Sequence, residues 1–304
     1  MLLRNNIPVK YILGKIKVEL IVITLYAAAV AVEHTYFDLS HISVPFSVPM
    51  IMVTVISLLL GFRSNQAYDR WWEARTIWGA IVNDSRTLAR QIKTLSKEAY
   101  QGDELFFFKQ RFIKRQIAWC YSLNRSLRNH DPIEGLDTFM VKRDLQHLKT
   151  YSNKPMAILE LHANDIQQGL ENGWINAYQQ VEIDKTLTRL TDAMGKCERI
   201  KNTIFPATYS LYIHLSLIVF FALLPFSMIE VFGPIFFIPA LVAIATVFFL
   251  IEKMAIHLQD PFENNPTDTP MTAICSTIER DLKQVINETY SAGHVMAPKA
   301  FYQL

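Results

Sequence analysis

Phe62-Arg63-Ser64-Asn65-Gln66-Ala67-Tyr68-Asp69-Arg70-Trp71-Trp72-Glu73-Ala74-Arg75 decides the fold, because it follows directly on an uncharged apolar run and brings three arginines and two adjacent tryptophans. A hydrophobic segment that ends in a basic, Trp-rich patch is leaving a bilayer on its cytoplasmic side. The run before it, 42–62, lacks Asp, Glu, Lys and Arg, and so do 202–229 and 231–251. Each is long enough for a spanning helix, which takes about 20 residues. A fourth window, 18–32, is interrupted near one end only by Glu19. It counts as a span because the topology then closes. Arg4, Lys10, Lys15 and Lys17 precede it and Arg63, Arg70 and Arg75 follow the second span, whereas the connections 33–41 and 228–232 hold no Lys or Arg. By the positive-inside rule both termini and the long middle segment are cytoplasmic.

Composition agrees with a membrane protein: 51% of the 304 residues are hydrophobic and the mean hydropathy is +0.15. That excess is concentrated in the windows above. A net charge of +2 is too small to suggest nucleic acid as a partner. Cys120, Cys197 and Cys275 make an odd set without metal-ligand spacing, so reduced structural thiols are expected. No small-residue cleavage site precedes Glu33, and the N-terminal apolar run reads as a retained helix.

Between the second and third windows the sequence reads as soluble helix. Ile77, Ile81, Leu88, Ile92 and Leu95 share one face while Arg86, Arg90 and Lys93 lie away from it. A second helix is predicted from about Glu104 to Asn129, bearing Phe108, Phe112, Trp119 and Leu123, and Asn129-His130-Asp131-Pro132 breaks it. Glu171-Asn172-Gly173 is another turn signal, after which 181–197 returns to helical spacing. Thr269-Pro270 reads as an N-cap with proline at the first helical position, opening a last helix striped by Ile274, Ile278, Leu282 and Val285. The tail after Tyr290 is expected to be loosely ordered. The predicted fold class is an all-α membrane protein with four transmembrane helices and a cytosolic helical bundle. Its parts are 1–62 with the first two spans, 63–203 as cytosolic helices, 204–257 with the last two spans, and 258–304 as a cytosolic C-terminal segment.

The pattern resembles the bestrophin family, which keeps an Arg-Trp-Trp triplet shortly after its second membrane helix. The likeness rests on Leu60-Gly61-Phe62 leading into Asp69-Arg70-Trp71-Trp72-Glu73-Ala74-Arg75, on Gln259-Asp260-Pro261-Phe262 directly after the last window, and on the order of parts. It covers nearly the whole chain. The resemblance implies a homopentameric ion channel with second-span helices lining a hydrophobic neck, whose positions fall on Thr54, Leu58 and Phe62. Residues at i, i+4 and i+8 keep to one helical face and span roughly 12 Å, so five copies could line one conduit. Thr54 departs from the bulky apolar residue usual there, and a hydroxyl ring would hydrate the outer neck. The same stripe is also what a helix packing against its neighbours or lipid shows, and both readings stand. Ser57 and Gly61 form a small pair on an adjoining face, the kind that lets membrane helices approach closely, and packing there would leave the Thr54 face free.

The family also has a constriction at the cytosolic exit, which falls on Tyr178 by counting back from Cys197-Glu198-Arg199; an ordinary core tyrosine is the equal alternative. In animal bestrophins an acidic cluster after the last span forms a calcium clasp. Here Asn264, Asn265, Pro266 and Thr267 stand where that pattern is acidic and Glu263 replaces a glycine, so Asp260, Asn265 and Asp268 are the remaining ligand candidates and calcium gating is not expected. Arg63, Arg70 and Arg75 fit either an anion-attracting ring or membrane anchoring with ion pairs to Asp69 or Glu73 on the same helix. Arg70, Trp71 and Trp72 read as an interface motif with a structural role.

No Gly-rich phosphate loop, nucleophile elbow or paired-histidine metal motif occurs, so neither catalysis nor a cofactor is expected, and His162, His214 and His257 stand isolated. A secondary transporter would place more ionisable residues inside its spans than Glu19 and His214. The expected activity is passage of small monovalent ions, leaning to chloride by the family resemblance, with a sodium- or potassium-permeable channel of the same fold or a non-conducting membrane scaffold as alternatives. The expected partners are the bilayer, the permeant ions and further copies of the chain. The expected location is a bacterial inner membrane, crossed several times.

Overall fold

The computed structural model describes residues 9–36, 44–96, 103–203 and 205–289, and among them every regular element is helical. In chain order these are α1 (Val9–Gly14), α2 (Lys17–Tyr36), α3 (Ser47–Leu95), α4 (Asp103–Leu127), a 3-10 turn (Leu136–Thr138), α5 (Lys142–Lys149), α6 (Lys154–Glu171), α7 (Ala177–Asn202), α8 (Ala207–Gln259) and α9 (Met271–Val285). They fall into two compact units, one from residues 4–71 with 204–260 and the other from 72–203 with 261 onward. The expected tail after Tyr290 lies outside the described residues.

In the first unit α2, α3 and α8 are long and apolar enough to cross a bilayer. The windows 202–229 and 231–251 share α8, which is broken at Gly233 (φ 72°, ψ 166°) into 207–232 and 234–259. Each half is roughly 39 Å long at 1.5 Å per residue, enough for a span. The break sits at 233, just past the expected connection 228–232, for a backbone reason. A positive φ is open to glycine at little cost, and Pro234 has no N–H with which to continue the ladder. An added Cβ at Gly233 would meet nothing within 4 Å, so conformation and not space requires the glycine. With α2 and the first part of α3, the two halves of α8 make four spanning segments.

These segments are held by an apolar cluster that includes Ile23, Ala27, Val30, Ile56, Leu60, Leu217, Phe220, Phe221 and Phe249. Polar side chains within it bond backbone carbonyls, as a water-poor environment demands. Tyr26 Oη donates to the Ala222 carbonyl at 2.8 Å and Ser227 Oγ to that of Val44 at 2.7 Å.

The second unit is a helical bundle in which α4 packs on α6, α7 and α9. The expected stripes form its core: Ile77, Ile81, Leu88 and Ile92 of α3 and Phe108, Phe112, Trp119 and Leu123 of α4 are all buried. Asn129 ends the α4 segment with φ 58°, and Gly173 turns the chain after α6 with φ 70°. Asn176 caps α7 in a reciprocal box with Gln179. The expected Thr269 cap of α9 is not formed. The helix starts at Met271 after Pro270, because the fully buried Thr269 is tied back through its N–H to the Pro261 carbonyl at 3.2 Å.

Arg115 and Asp165, both buried in the bundle, compensate each other's charge. Arg115 of α4 donates to Asp165 of α6 and, at 2.7 Å, to Asp144 of α5, while Arg111 reaches Asp165 at 2.9 Å. Burial, reinforced by Arg115, drives His162 well below the usual histidine range, so it sits neutral beside the Phe112 ring. The three cysteines are buried and unbridged. Burial pushes Cys120 and Cys197 up to about 12, which keeps them protonated.

Candidate functional site

Helix α3 enters its unit with one face committed. Ile56, Leu60, Arg63 and Ala67 are buried, and this i, i+4, i+7, i+11 stripe is the face that packs within the protomer. Thr54, Leu58 and Phe62 lie about 170° round the helix from it, at about 100° per residue. Leu58 is 59% and Phe62 57% exposed, an apolar ridge that nothing in the protomer covers. Thr54 is exposed too, and its hydroxyl donates to the Met50 carbonyl at 2.9 Å. With that proton engaged by its own helix, the Thr54 hydroxyl keeps only its oxygen lone pairs for an outside donor.

Ser57 and Gly61 are exposed, and a Cβ at Gly61 would meet nothing within 4 Å, so they make no close helix contact inside the protomer. The face that frees the Thr54 ridge is the Ile56–Leu60–Arg63–Ala67 stripe.

The two sequence signatures quoted above meet in one place. Arg70, with its side chain 15% exposed, lies 3.8 Å from Asp260. The expected same-helix partners take other roles: Glu73 pairs with Arg199 of α7, and Asp69 accepts from Asn65 at 3.5 Å. Trp71 is partly buried with its ring 6.1 Å from that of Tyr68, and Trp72 is exposed.

Asp260 is further engaged by Gln259, which donates to it at 3.1 Å. In the following loop Asp268 is buried, accepts from the Asn265 N–H at 3.0 Å and returns its own N–H to the Asn265 carbonyl at 3.0 Å. Burial raises the Asp268 carboxyl to about 6, against the pull of the Asn265 amide and Arg128. Asp260 thus faces Arg70, Asp268 lies within electrostatic reach of Arg128, and among the described residues no group of three His, Cys, Asp or Glu is placed to hold a metal. The loop instead closes on itself as a turn, with Asn264 at φ 66°.

Tyr178 is not a core tyrosine. It stands in the first turn of α7, 87% exposed.

Arg63, expected at an interface, is 1% exposed, which removes it from any solvent-facing ring. Glu252, the residue that ends the last uncharged window as Arg63 follows the first, is also 1% exposed and lies within electrostatic reach of Arg63. His214 is not isolated, because its Nδ1 lies 3.0 Å from Glu252 Oε1. Glu19 pairs with Lys253 at 2.7 Å. Sequence reasoning missed this cluster, although its signal was present in the charges that stop the two windows.

The family described as "Bacterial/Fungal Bestrophin protein" matches residues 7–284. A voltage-dependent anion channel-forming protein of Ralstonia nicotianae is 30% identical over 282 residues, covering 92% of this chain and 88% of that protein. One of the same description from Nostoc is 32% identical, covering 80% of each. The crystal structure of a bacterial bestrophin homolog from Klebsiella pneumoniae is 26% identical, covers 90% of this chain and 100% of that one, and superposes with a TM-score of 0.83.

Proposed function

The chain belongs to the bacterial and fungal bestrophin family, and on that premise we propose that it is a membrane ion channel that passes anions, chloride foremost, through a pore lined by α3. Relatives at similar full length are described as voltage-dependent anion channel-forming proteins. The observation that carries the reading is the ridge Thr54, Leu58 and Phe62, exposed on the side of α3 opposite its packed stripe. In a homopentamer five such ridges face one another and form a hydrophobic neck. A neck of this kind holds back ions by dewetting and has no fixed charge to bind them.

Tyr178, exposed at the start of α7, is the proposed second constriction, where a ring of hydroxyls meets partly dehydrated ions. Arg70, with Trp71 and Trp72, anchors the end of the spanning part of α3, the arginine through Asp260. Arg4, Lys10, Lys15 and Lys17 ahead of α2 support cytoplasmic termini, and the bacterial sources of the relatives support an inner-membrane location.

Single-channel recording of Leu58→Ala and Phe62→Ala tests the neck. The expected result is altered conductance or gating in both. Unchanged currents in the two variants would remove the ridge from the pore.

A further inference from the structure

We infer that Asp69 sets the charge selectivity of the pore: its copies form a ring of carboxylates at the cytoplasmic mouth of the neck, which gathers small cations there and holds back anions. The inference rests on the channel reading above and concerns the stretch of α3 just past Phe62. The ridge does not stop at Phe62. At about 100° per residue, Asn65 and Asp69 each lie within about 20° of the mean direction of Thr54, Leu58 and Phe62, on the side opposite the packed stripe. Both are exposed. At 1.5 Å per residue Asn65 stands roughly 4.5 Å and Asp69 roughly 10 Å along the helix axis from Phe62. The ridge thus passes from apolar to polar within two turns. In the homopentamer an ion leaving the hydrophobic neck meets a ring of amides and then a ring of carboxylates.

The charged residues of 47–71 are Arg63, Asp69 and Arg70. Arg63 belongs to the packed stripe and is buried. Arg70 points about 120° away from the ridge, by the same helical count, and its largely buried side chain faces Asp260 at 3.8 Å. Asp69 alone is both charged and exposed on the ridge. Its Oδ2 accepts from Asn65 Nδ2 at 3.5 Å, a long contact to a neutral amide that leaves the negative charge in place. Among the described residues no cation forms an ion pair with it. The fixed charge on this face of α3 is therefore negative, although the sequence around it is rich in arginine. The neck has no charge with which to tell chloride from sodium, and the Asp69 ring supplies one. Walled rings of like charge enrich counter-ions by about tenfold or more in dilute salt. Their reach shrinks with salt, since the Debye length falls from about 10 Å at 0.1 M to about 3 Å at 1 M. In an anion pore the ring is a brake on chloride at the cytoplasmic mouth.

Reversal potentials of the purified protein in planar bilayers, taken at about 0.1 M and about 1 M sodium chloride, give the chloride-to-sodium permeability ratio with and without screening. Asp69→Asn should raise that ratio about tenfold in the dilute salt and far less in the concentrated salt. The sign of the charge is tested on Asp69→Cys, labelled from the cytoplasmic side with thiosulfonate reagents, the native cysteines being buried. An adduct bearing a sulfonate should return the ratio to that of the unaltered protein, and one bearing a trimethylammonium should raise it beyond Asp69→Asn. A purely structural role for Asp69 would move both adducts alike. A conducting channel whose ratio is the same in Asp69→Asn, or indifferent to the sign of the adduct, overturns this inference alone. An unaltered protein that reverses at the cation potential, and moves toward chloride in Asp69→Asn, supports this inference and overturns the anion reading. No current, or unchanged currents in Leu58→Ala and Phe62→Ala, overturns the pore reading and this inference with it.

Discussion

The two ends of α3 expose opposite kinds of surface. In 72–95 the large apolar residues Ile77, Trp78, Ile81, Leu88 and Ile92 are inside, and Arg86, Arg90 and Lys93 are outside. In 47–71 Ile51, Val55, Leu58 and Phe62 are outside, while the buried stripe includes an arginine. One helix thus follows two codes, and the solvent explains the change. In water an exposed leucine forfeits the hydrophobic gain, whereas in a bilayer lipid tails are as apolar as the core, so burial within the protomer no longer marks where a residue acts. Exposure of apolar residues in 47–71 is therefore compatible with lipid, a neighbouring subunit or a pore, and the position opposite the packed stripe is shared by Thr54, Leu58 and Phe62 with Ile51.

The contrast yields tests of decreasing size. Trp78→Ala should destabilise the bundle by about 3–5 kcal/mol, the usual cost of emptying a large core site. Leu58→Ala, the same kind of truncation on the other end of α3, should leave the melting temperature of the detergent-solubilised protein nearly unchanged and alter its current. Equal thermal losses in the two variants would break the comparison.

Asp268 gives the next effect. Its folded carboxyl titrates at about 6 against an ordinary 3.8, so between these values the folded protein holds a proton that the unfolded chain has released. Stability accordingly falls as pH rises through that window and levels off above it. Thermal melts of Asp268→Asn should lack this fall and exceed the unaltered protein by about 2–4 °C near pH 7, a parallel pH dependence in both being the contrary result.

Gly61→Ala probes the open side of the spanning end. Within the protomer the new methyl meets nothing, so helix propensity should stabilise the chain by about 1 kcal/mol. Loss of the oligomer on size-exclusion chromatography would instead place Gly61 in a contact between subunits. The smallest effect is expected from Tyr178→Ala, which should change stability by less than about 0.5 kcal/mol, as exposed sites do, while shifting relative permeabilities.

Legibility in the sequence followed the same divide. The bundle core could be read because its stripes alternate with charges, as Ile81 and Leu88 do with Arg86 and Arg90. The short elements between Pro132 and Lys154 could not, since the 3-10 turn and α5 carry too few apolar residues to show a period. The spans were legible as uncharged windows, and Gly233 adds the backbone reason for their division. The same windows misled at their ends. A hydropathy window stops at Arg63 or Glu252 and so assigns them to the interface, although both are buried. Only three-dimensional packing brings Glu252 and His214 together, or turns Tyr178 out of the core.

Whether the pore selects anions is read from the reversal potential of the purified protein in a planar bilayer under a salt gradient. An anion pore reverses at the chloride equilibrium potential, and its reversal shifts when chloride on one side is replaced by a large impermeant anion. Reversal at the cation equilibrium potential, unaffected by that replacement, would contradict it.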